Sequence, residues 1–385
     1  MFLDKTIDRN PKLIDSAVKL YRQGLIQADS YLVDVDTLLD NAKKILDTAN
    51  QHDIRLYFML KQLGRNPYIA KKLVELGYDG VVAVDFREAL LMAENNIPLA
   101  NVGHLVQTPK HLLKKLISYG VEVFTVYSIE KLREINEIAE SLGMVQKIMI
   151  KVAGKDDLFY SGQYSGIEID DLLEFIGQAK ELKNIKLVGV TAFPCYLYNY
   201  ESKDIEKTNN YYTLEKAVKI MEDQGLEISH INTPSTTSVV TLNKMKDDIG
   251  NIGEPGHGLT GTTPAHADHD LDEIPSIVYI SEVSHNFRGK SYVYGGGHYR
   301  RSHVYKCLVV NGDQSHMNKI LPMANDSIDY YFELASEEEI SSIVLMAFRF
   351  QIFVCRSNLV LIEGIKEDNP RIVGTYSALG ELIDE

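Results

Sequence analysis

Three groups of residues in this 385-residue chain could do chemistry together: an amine, a run of hydroxyls and a carboxylate. The amine is Lys61, in "LYFMLKQLGRNP", where a short apolar run ends in a lysine and then breaks at glycine and proline. An ammonium group normally stays in water. One at the end of a buried strand is either a long side chain reaching the surface or a reactive amine held in a pocket. The hydroxyls are Ser235, Thr236 and Thr237 in "NTPSTTS", and the carboxylate is Glu254 in "EPGHGLTGTTP", followed by Gly256 and His257. Taken singly, each has an ordinary reading as a solvated lysine, a helix-capping turn or a turn-capping acid. Their agreement gives them weight.

The elements that must position these groups are legible in the periodicity. Eight brief β-rich runs begin at Leu56, Gly80, Leu99, Val121, Lys147, Leu187, His230 and Asn251. Between them lie stretches such as "NPYIAKKLVELG", "VDFREALLMAENN", "PKHLLKKLISYG", "SIEKLREINEIAESLG" and "NYYTLEKAVKIMEDQG", apolar at helical spacing and several closed by glycine. Eight such units predict an α/β chain built on a (β/α)8 TIM barrel. The turn after the first run lacks the G-x-G-x-x-G of a dinucleotide fold. From "PAHADHDLDE" onward the pattern turns strand-rich, which predicts a C-terminal β-rich domain. The expected division is an N-terminal helical extension over 1–30, a barrel over 31–265 and a β domain over 266–385.

In such barrels active sites gather at the C-terminal ends of the strands, with phosphate groups after strands seven and eight. Lys61 would end strand one, the hydroxyl run would follow strand seven and Glu254 would follow strand eight. An amine, a hydroxyl- and glycine-rich cradle and a carboxylate at one mouth fit pyridoxal 5'-phosphate. The lysine would form the Schiff base, the cradle would hold the phosphate and the acid would face the pyridine nitrogen.

At these residues the chain resembles the fold-type III pyridoxal-phosphate enzymes, the alanine racemase-like family, and within it the YhfX-type bacterial branch. The likeness runs through "LVDVD", "LKQLGRNP", "GHLVQ", "EPGHGLTGT", "YGGGHYRR" and "QIFVCRS". It implies that Lys61 carries the cofactor and that Asn232, Ser235 and the Gly256–His257 backbone contact the phosphate. It also implies a homodimer with shared active sites, in which the β domain of one chain completes the barrel of the other.

Departures from the family pattern leave alternatives open. Where alanine racemases have a ring-packing histidine, this chain reads Thr191-Ala192-Phe193, so Phe193 or His104 would substitute. Gly295 stands opposite the tyrosine that serves as second base, which leaves Tyr294, His298 and Tyr299 as candidates. Glu254 replaces the racemases' arginine, as in related decarboxylases. Gln163 is a candidate for the cofactor's phenolic oxygen. Arg65, Arg300 and Arg301 are candidate carboxylate clamps, with Cys355 in a segment that echoes a decarboxylase motif. The resemblance implies an amino-acid racemase. The alternatives are an amino-acid decarboxylase, a D-threonine-type aldolase, or a non-catalytic cofactor-binding protein.

Composition sets outer limits. Hydrophobic residues make up 45% of the chain, enough for a large core, and the net charge is -14 with no basic block. Nucleic acid and anionic membrane surfaces are therefore poor partners. No apolar window reaches the length of a membrane span, and the N-terminus mixes acids with bases rather than forming a signal peptide. Cys195, Cys307 and Cys355 are far apart and odd in number, which fits a reducing, cytoplasmic setting. "HADHD", His266 to Asp270, lacks diagnostic ligand spacing and reads as a solvated acidic linker, so no metal is expected.

Overall fold

The computed structural model describes residues 1–295, 298 and 301–384. Contacts divide the chain into two compact units. One comprises residues 45–60 and 67–256; the other comprises 1–44, 61–66 and 257–385.

The first unit is the expected barrel. Its strands are Arg55–Phe58, Gly80–Ala83, Leu99–Val102, Val123–Val126, Gln146–Ala153, Ile185–Thr191, His230–Asn232 and Ile252–Gly253, here strands one to eight. Each pairs in parallel with the next, and strand eight pairs with strand one, so the sheet closes on itself. The residues of strands two, three and four are all buried, as parallel strands covered on both faces must be.

The five quoted helical stretches form the helices Pro67–Leu76, Phe86–Glu94, Lys110–Tyr119, Ile129–Ser141 and Asn209–Asp223. Local chemistry starts and stops them. Asp85 accepts from the backbone N–H of Arg87 and Glu88 at 2.9 and 3.0 Å, while Glu88 reaches back to the N–H of Val84 at 2.7 Å. The orphan donors of that helix start are thus satisfied reciprocally. Gly120 ends the third of these helices at φ 101, a conformation that a side chain would strain.

The N-terminal end of the barrel is tied by charge. Arg55 donates to Glu122 at 2.8 and 3.1 Å and to Asp79 at 2.9 and 3.2 Å, and the His230 ring lies 3.1 Å from Glu122. Burial raises the Glu122 carboxyl, but the bonds from His230 and Arg55 outweigh it and hold the group at about 2, below its ordinary 4.5.

The second unit is a sheet-centred domain. Its strand order is Gln314–Lys319, Lys306–Asn311, Ile343–Met346, Ile277–Phe287, Ser30–Asp34, Asn358–Glu363, Arg371–Tyr376 and Leu382–Asp384. Lys290–Tyr294 and Tyr331–Leu334 branch from it. The expected boundary at residue 31 does not match this division, because Ser30–Asp34 runs in the middle of the sheet. It lies antiparallel to Ile277–Phe287 and parallel to Asn358–Glu363. All five of its residues are buried. Leu32 packs with Leu13, Ile14, Ala17 and Leu20 of the helix Pro11–Arg22, while Tyr31 meets Tyr279, Phe348 and Phe350 at 5.0 to 6.2 Å between ring centroids. Alternate residues of one strand therefore serve two cores.

Two predictions follow from these local interactions. Asp85→Ala should lower barrel stability by about 1 kcal/mol in urea denaturation, the usual worth of such a cap. Because the folded Glu122 carboxyl is depressed, its contribution is fully present above pH 4.5 and is lost as pH falls towards about 2. Unfolding temperature measured from pH 6 to 2 should show this loss in the wild type and a correspondingly shallower fall in Glu122→Gln.

Candidate active site

Parallel closure brings the segments that follow the strands to one mouth of the barrel. At its centre is Glu254, immediately after strand eight and 8% exposed. Asn232, the last residue of strand seven, donates to one carboxylate oxygen at 2.6 Å, and the backbone N–H of Glu254 donates to the Thr237 hydroxyl at 3.0 Å. The first bond orients the carboxylate, and the second ties down the backbone that carries it. Asn232 is fully buried, and its Oδ1 has no hydrogen-bond partner among the described residues.

The loop between Asn232 and the helix Val239–Met245 is conformationally committed. Ser235 and Thr236 both adopt positive φ, at 99 and 57, which is unfavourable for residues with side chains. The Thr236 hydroxyl donates to the Tyr196 carbonyl at 3.1 Å, and Thr241 donates back to the Thr236 carbonyl at 2.5 Å. Strand eight fits against this loop because it carries glycine. A Cβ at Gly253 would lie 3.0 Å from Thr237, and one at Gly250 would lie 2.3 Å from the Thr233 hydroxyl.

His104 follows strand three and is buried. Its ring meets Phe193, after strand six, edge to face at 5.6 Å, so the two candidate substitutes for the missing histidine are neighbours. Ala192 is fully buried and offers no ring. Gln163 lies half-buried in the loop after strand five.

The sequence reading did not single out Lys151, near the C-terminal end of strand five. It is 2% exposed and donates to the Ser165 hydroxyl at 2.8 Å, with the His104 carbonyl at 3.4 Å. Burial pulls its ammonium down to about 8, with the charge of Glu254 opposing that fall. The geometric rule that pointed to Lys61 applies equally to Lys151. What hid it is that "KIMIKV" also carries Lys147, which is exposed on the same strand.

A buried carboxylate and a buried ammonium that form no ion pair with each other suit a ligand carrying both charges. Pyridoxal phosphate, with a protonated ring nitrogen and an ionised ring oxygen, has that pattern. The donor set of the mouth therefore fits the cofactor expected from the sequence.

The remaining candidates belong to the other unit. Lys61 opens the short 3-10 turn Lys61–Leu63 and is half-buried. Two residues earlier, the N–H of Met59 donates to the Pro255 carbonyl at 2.9 Å, extending the pairing of strands one and eight past Glu254. Arg65 is 4% exposed, at φ 54, with its guanidinium over the Phe353 ring at 5.3 Å, so it is not a solvated surface charge. His257 is nearly buried. Its Nε2 donates to the Phe350 carbonyl at 2.8 Å, and its Nδ1 accepts from Gln62 at 3.2 Å. Burial, helped by Arg349 and Lys61, holds that imidazole neutral, well below its ordinary 6.5.

Of the second-base candidates, Tyr294 is 40% exposed at the end of the strand Lys290–Tyr294, and the His298 ring lies 5.1 Å from Phe332. Tyr299 and Arg300 lie outside the described residues. A Cβ at Gly295 would come within 3.2 Å of the Phe332 ring, a tight contact. Arg301 is exposed. Cys355 donates to the Ile352 carbonyl at 2.9 Å, and burial pushes its thiol above the ordinary value, which keeps it protonated. His266 corrects the reading of "HADHD" as a solvated loop: it is buried, 3.3 Å from the equally buried Glu273 and 2.6 Å from the Thr263 hydroxyl.

Comparison with known proteins bears on the family and the fold. Residues 33–264 match the family model "Alanine racemase, N-terminal domain", and residues 278–372 match "YhfX-like, C-terminal domain". The chain is 41% identical to the uncharacterised protein YhfX of Escherichia coli over 385 residues, covering 100% of both. It is 24% identical to alanine racemase 2 of Caldanaerobacter subterraneus over 66% of this chain and 65% of that one.

Among solved structures, the diaminopimelate decarboxylase of Helicobacter pylori superposes with a TM-score of 0.66 at 15% identity, covering 95% of this chain and 96% of that one. The D-threonine aldolase of Filomicrobium marinum gives 0.65 at 14%, covering 91% and 94%. The alanine racemase of Clostridium difficile gives 0.62 at 17%, covering 91% and 98%. These three share the fold with this chain while differing in the reaction named for each. The chain belongs to the alanine racemase-like, fold-type III family, whose members use pyridoxal 5'-phosphate, and carries the YhfX-like C-terminal domain.

Proposed function

We propose that this protein is an amino-acid racemase dependent on pyridoxal 5'-phosphate. The observation that carries the reading is the Glu254 carboxylate, oriented by the Asn232 amide, on backbone tied to the Thr237 hydroxyl at the mouth of a closed barrel. When bound, the cofactor supplies an electron sink for the charge that develops at the substrate's α-carbon. Lys61 would hold it covalently. Ser235, Thr236 and Thr237, with the Gly256–His257 backbone, would hold its phosphate, and Glu254 would face the ring nitrogen.

The residues of the chain then have distinct tasks. Glu254 keeps a proton on the group it faces, because a buried carboxylate favours a neighbouring positive charge. Asn232 keeps that carboxylate from turning away. Phe193 and His104 give the mouth an apolar wall that excludes water. The Lys61 amine takes a proton from one face of the α-carbon, and a group on the partner's β unit, with Tyr294, His298 and Tyr299 as candidates, serves the other. This arrangement makes the active form a homodimer.

A second reading keeps the cofactor and changes the bond broken. A carboxylate at the ring nitrogen strengthens the electron sink, which serves decarboxylation or retro-aldol cleavage as well as proton removal. Incubating the protein with a panel of D- and L-amino acids in deuterated water separates the two. Exchange of the α-proton with racemisation is the expected result. Carbon dioxide or aldehyde released without racemisation would replace the first reading by the second, and no exchange with any amino acid would leave a cofactor-binding protein without catalysis.

The cofactor's attachment has its own test. Wild-type protein with added pyridoxal phosphate should show a visible absorption band that Lys61→Ala abolishes; a band unchanged in the variant would sink the assignment. Glu254→Gln should retain that band and slow α-proton exchange by about 100-fold, the scale of losing one preorganised electrostatic contact.

A further inference from the structure

The barrel carries an element that eight strands and their helices do not require. After strand six the chain forms a two-stranded hairpin, Tyr196–Asn199 with Asp204–Lys207, before it enters the helix Asn209–Asp223. A lone hairpin is marginal in water, so what it docks against decides whether it forms. One face of this hairpin, Tyr196, Tyr198 and Ile205, is buried, with Lys207 directly opposite Tyr196. Several of its polar contacts run to the segment that joins strand seven to strand eight. The N–H of Cys195 donates to the Pro234 carbonyl at 3.0 Å, and the Thr236 hydroxyl donates to the Tyr196 carbonyl at 3.1 Å. Near the other end of the segment the Tyr196 hydroxyl donates to Asp248 at 2.6 Å, and Lys207 pairs with the same carboxylate. Burial and the bond to Asp248 push the Tyr196 phenol above its ordinary 10, so it remains a donor. Between these points Lys244 meets both oxygens of Asp204 at 2.7 Å.

The segment under the hairpin opens with the loop assigned to the phosphate, where Ser235 and Thr236 hold positive φ. Strained backbone of that kind persists only where its surroundings over-determine it. A hydroxyl also has a single proton to donate. Thr236 commits its proton to the Tyr196 carbonyl, and the Thr237 hydroxyl already accepts from the Glu254 N–H. The half-buried Ser235 hydroxyl has only a long contact among the described residues, 3.4 Å to the Thr236 hydroxyl.

We propose that the hairpin is a strap that fixes the phosphate loop in its binding conformation, fastened at the Thr236 hydroxyl and at Asp248. Thr236 and Tyr196 are then positioning residues, and Ser235 presents the hydroxyl that meets the phosphate. This rests on the cofactor reading above and deepens it. The run of three hydroxyls is divided, Ser235 for the ligand, Thr236 for the strap and Thr237 for strand eight.

The test compares wild type, Tyr196→Phe, Thr236→Val and Thr236→Ser by equilibrium binding, with thermal unfolding as the folding control. The probes are pyridoxal 5'-phosphate and pyridoxal, which lacks the phosphate. Tyr196→Phe removes only the hydroxyl that reaches Asp248 and leaves the carbonyl that Thr236 binds. Tyr196→Phe and Thr236→Val should each weaken pyridoxal phosphate binding by about tenfold, the scale of one hydrogen bond, and leave pyridoxal binding unchanged. The double variant should lose less than the product of the two, because both changes unfasten one strap. Thr236→Ser should restore most of the loss. A loss in Thr236→Val with none in Tyr196→Phe would mean that Thr236 touches the phosphate itself, and would overturn the proposal. Equal losses for both probes, or no loss in either variant, would overturn it as well.

Amide hydrogen exchange on wild type alone covers the case of a variant that fails to fold. Added pyridoxal phosphate should slow exchange over 196–207 and 233–238 together, and slowing confined to 233–238 would overturn the strap. A wild type that binds neither probe would sink the functional reading and leave the strap readable in the ligand-free protein. There Tyr196→Phe should speed exchange over 233–238 by about tenfold, the same loss read as opening of the loop; exchange equal to wild type would overturn the proposal.

Discussion

Closure of the barrel depends on a strand of only two residues. Ile252 and Gly253 pair with strand one on one side and with strand seven on the other, completing a ring that is otherwise a curved open sheet. The bonds continue beyond the formal strand, from Arg55 to Asn251 and from Met59 to Pro255. The Asn251 side chain bridges to the Ile231 N–H and the Ser229 carbonyl. Small residues make the seam possible, since side chains at Gly250 or Gly253 would collide with the strand-seven loop. The seam also carries Glu254. The interaction that closes the fold and the one that orients the acid are therefore one stretch of backbone, and a change that opened the seam would disorient the carboxylate.

The two ends of the barrel treat charge differently. At the N-terminal end Arg55, Asp79, Glu122 and His230 satisfy one another, and the low value of the Glu122 carboxyl reflects that mutual compensation. At the C-terminal end the Glu254 carboxylate accepts from the neutral Asn232 amide, and Lys151 forms no ion pair among the described residues. Paired charge stabilises the folded chain. Charge kept apart from its opposite stores an electrostatic preference for a ligand.

In the sheet-centred unit, buried polar groups act mainly on structure. His257 bridges Gln62 and the Phe350 carbonyl, so its side chain ties segments of that unit together. His266 and Glu273 form a pair with almost no exposure, at the place where the sequence looked like a water-exposed linker. Both histidines occur among glycines, threonines and acids, whose composition says turn and gives no sign of burial.

The sequence by itself determined the eight strands, the five quoted helices, the β-rich C-terminal part and the position of Glu254 at a strand end. All of these follow from local periodicity, caps and glycines, which act over a few residues and leave a local trace. Tertiary structure alone decided that Ser30–Asp34 joins strands lying about 250 and 330 residues further along, since which sheet accepts a buried run is set by distant partners. It also decided that Lys151 is buried while Lys147 on the same strand is exposed. A lysine's letter is the same in water and in a barrel mouth. Its chemistry differs because burial removes the solvent that would otherwise neutralise the field of its charge, and burial belongs to the assembled barrel.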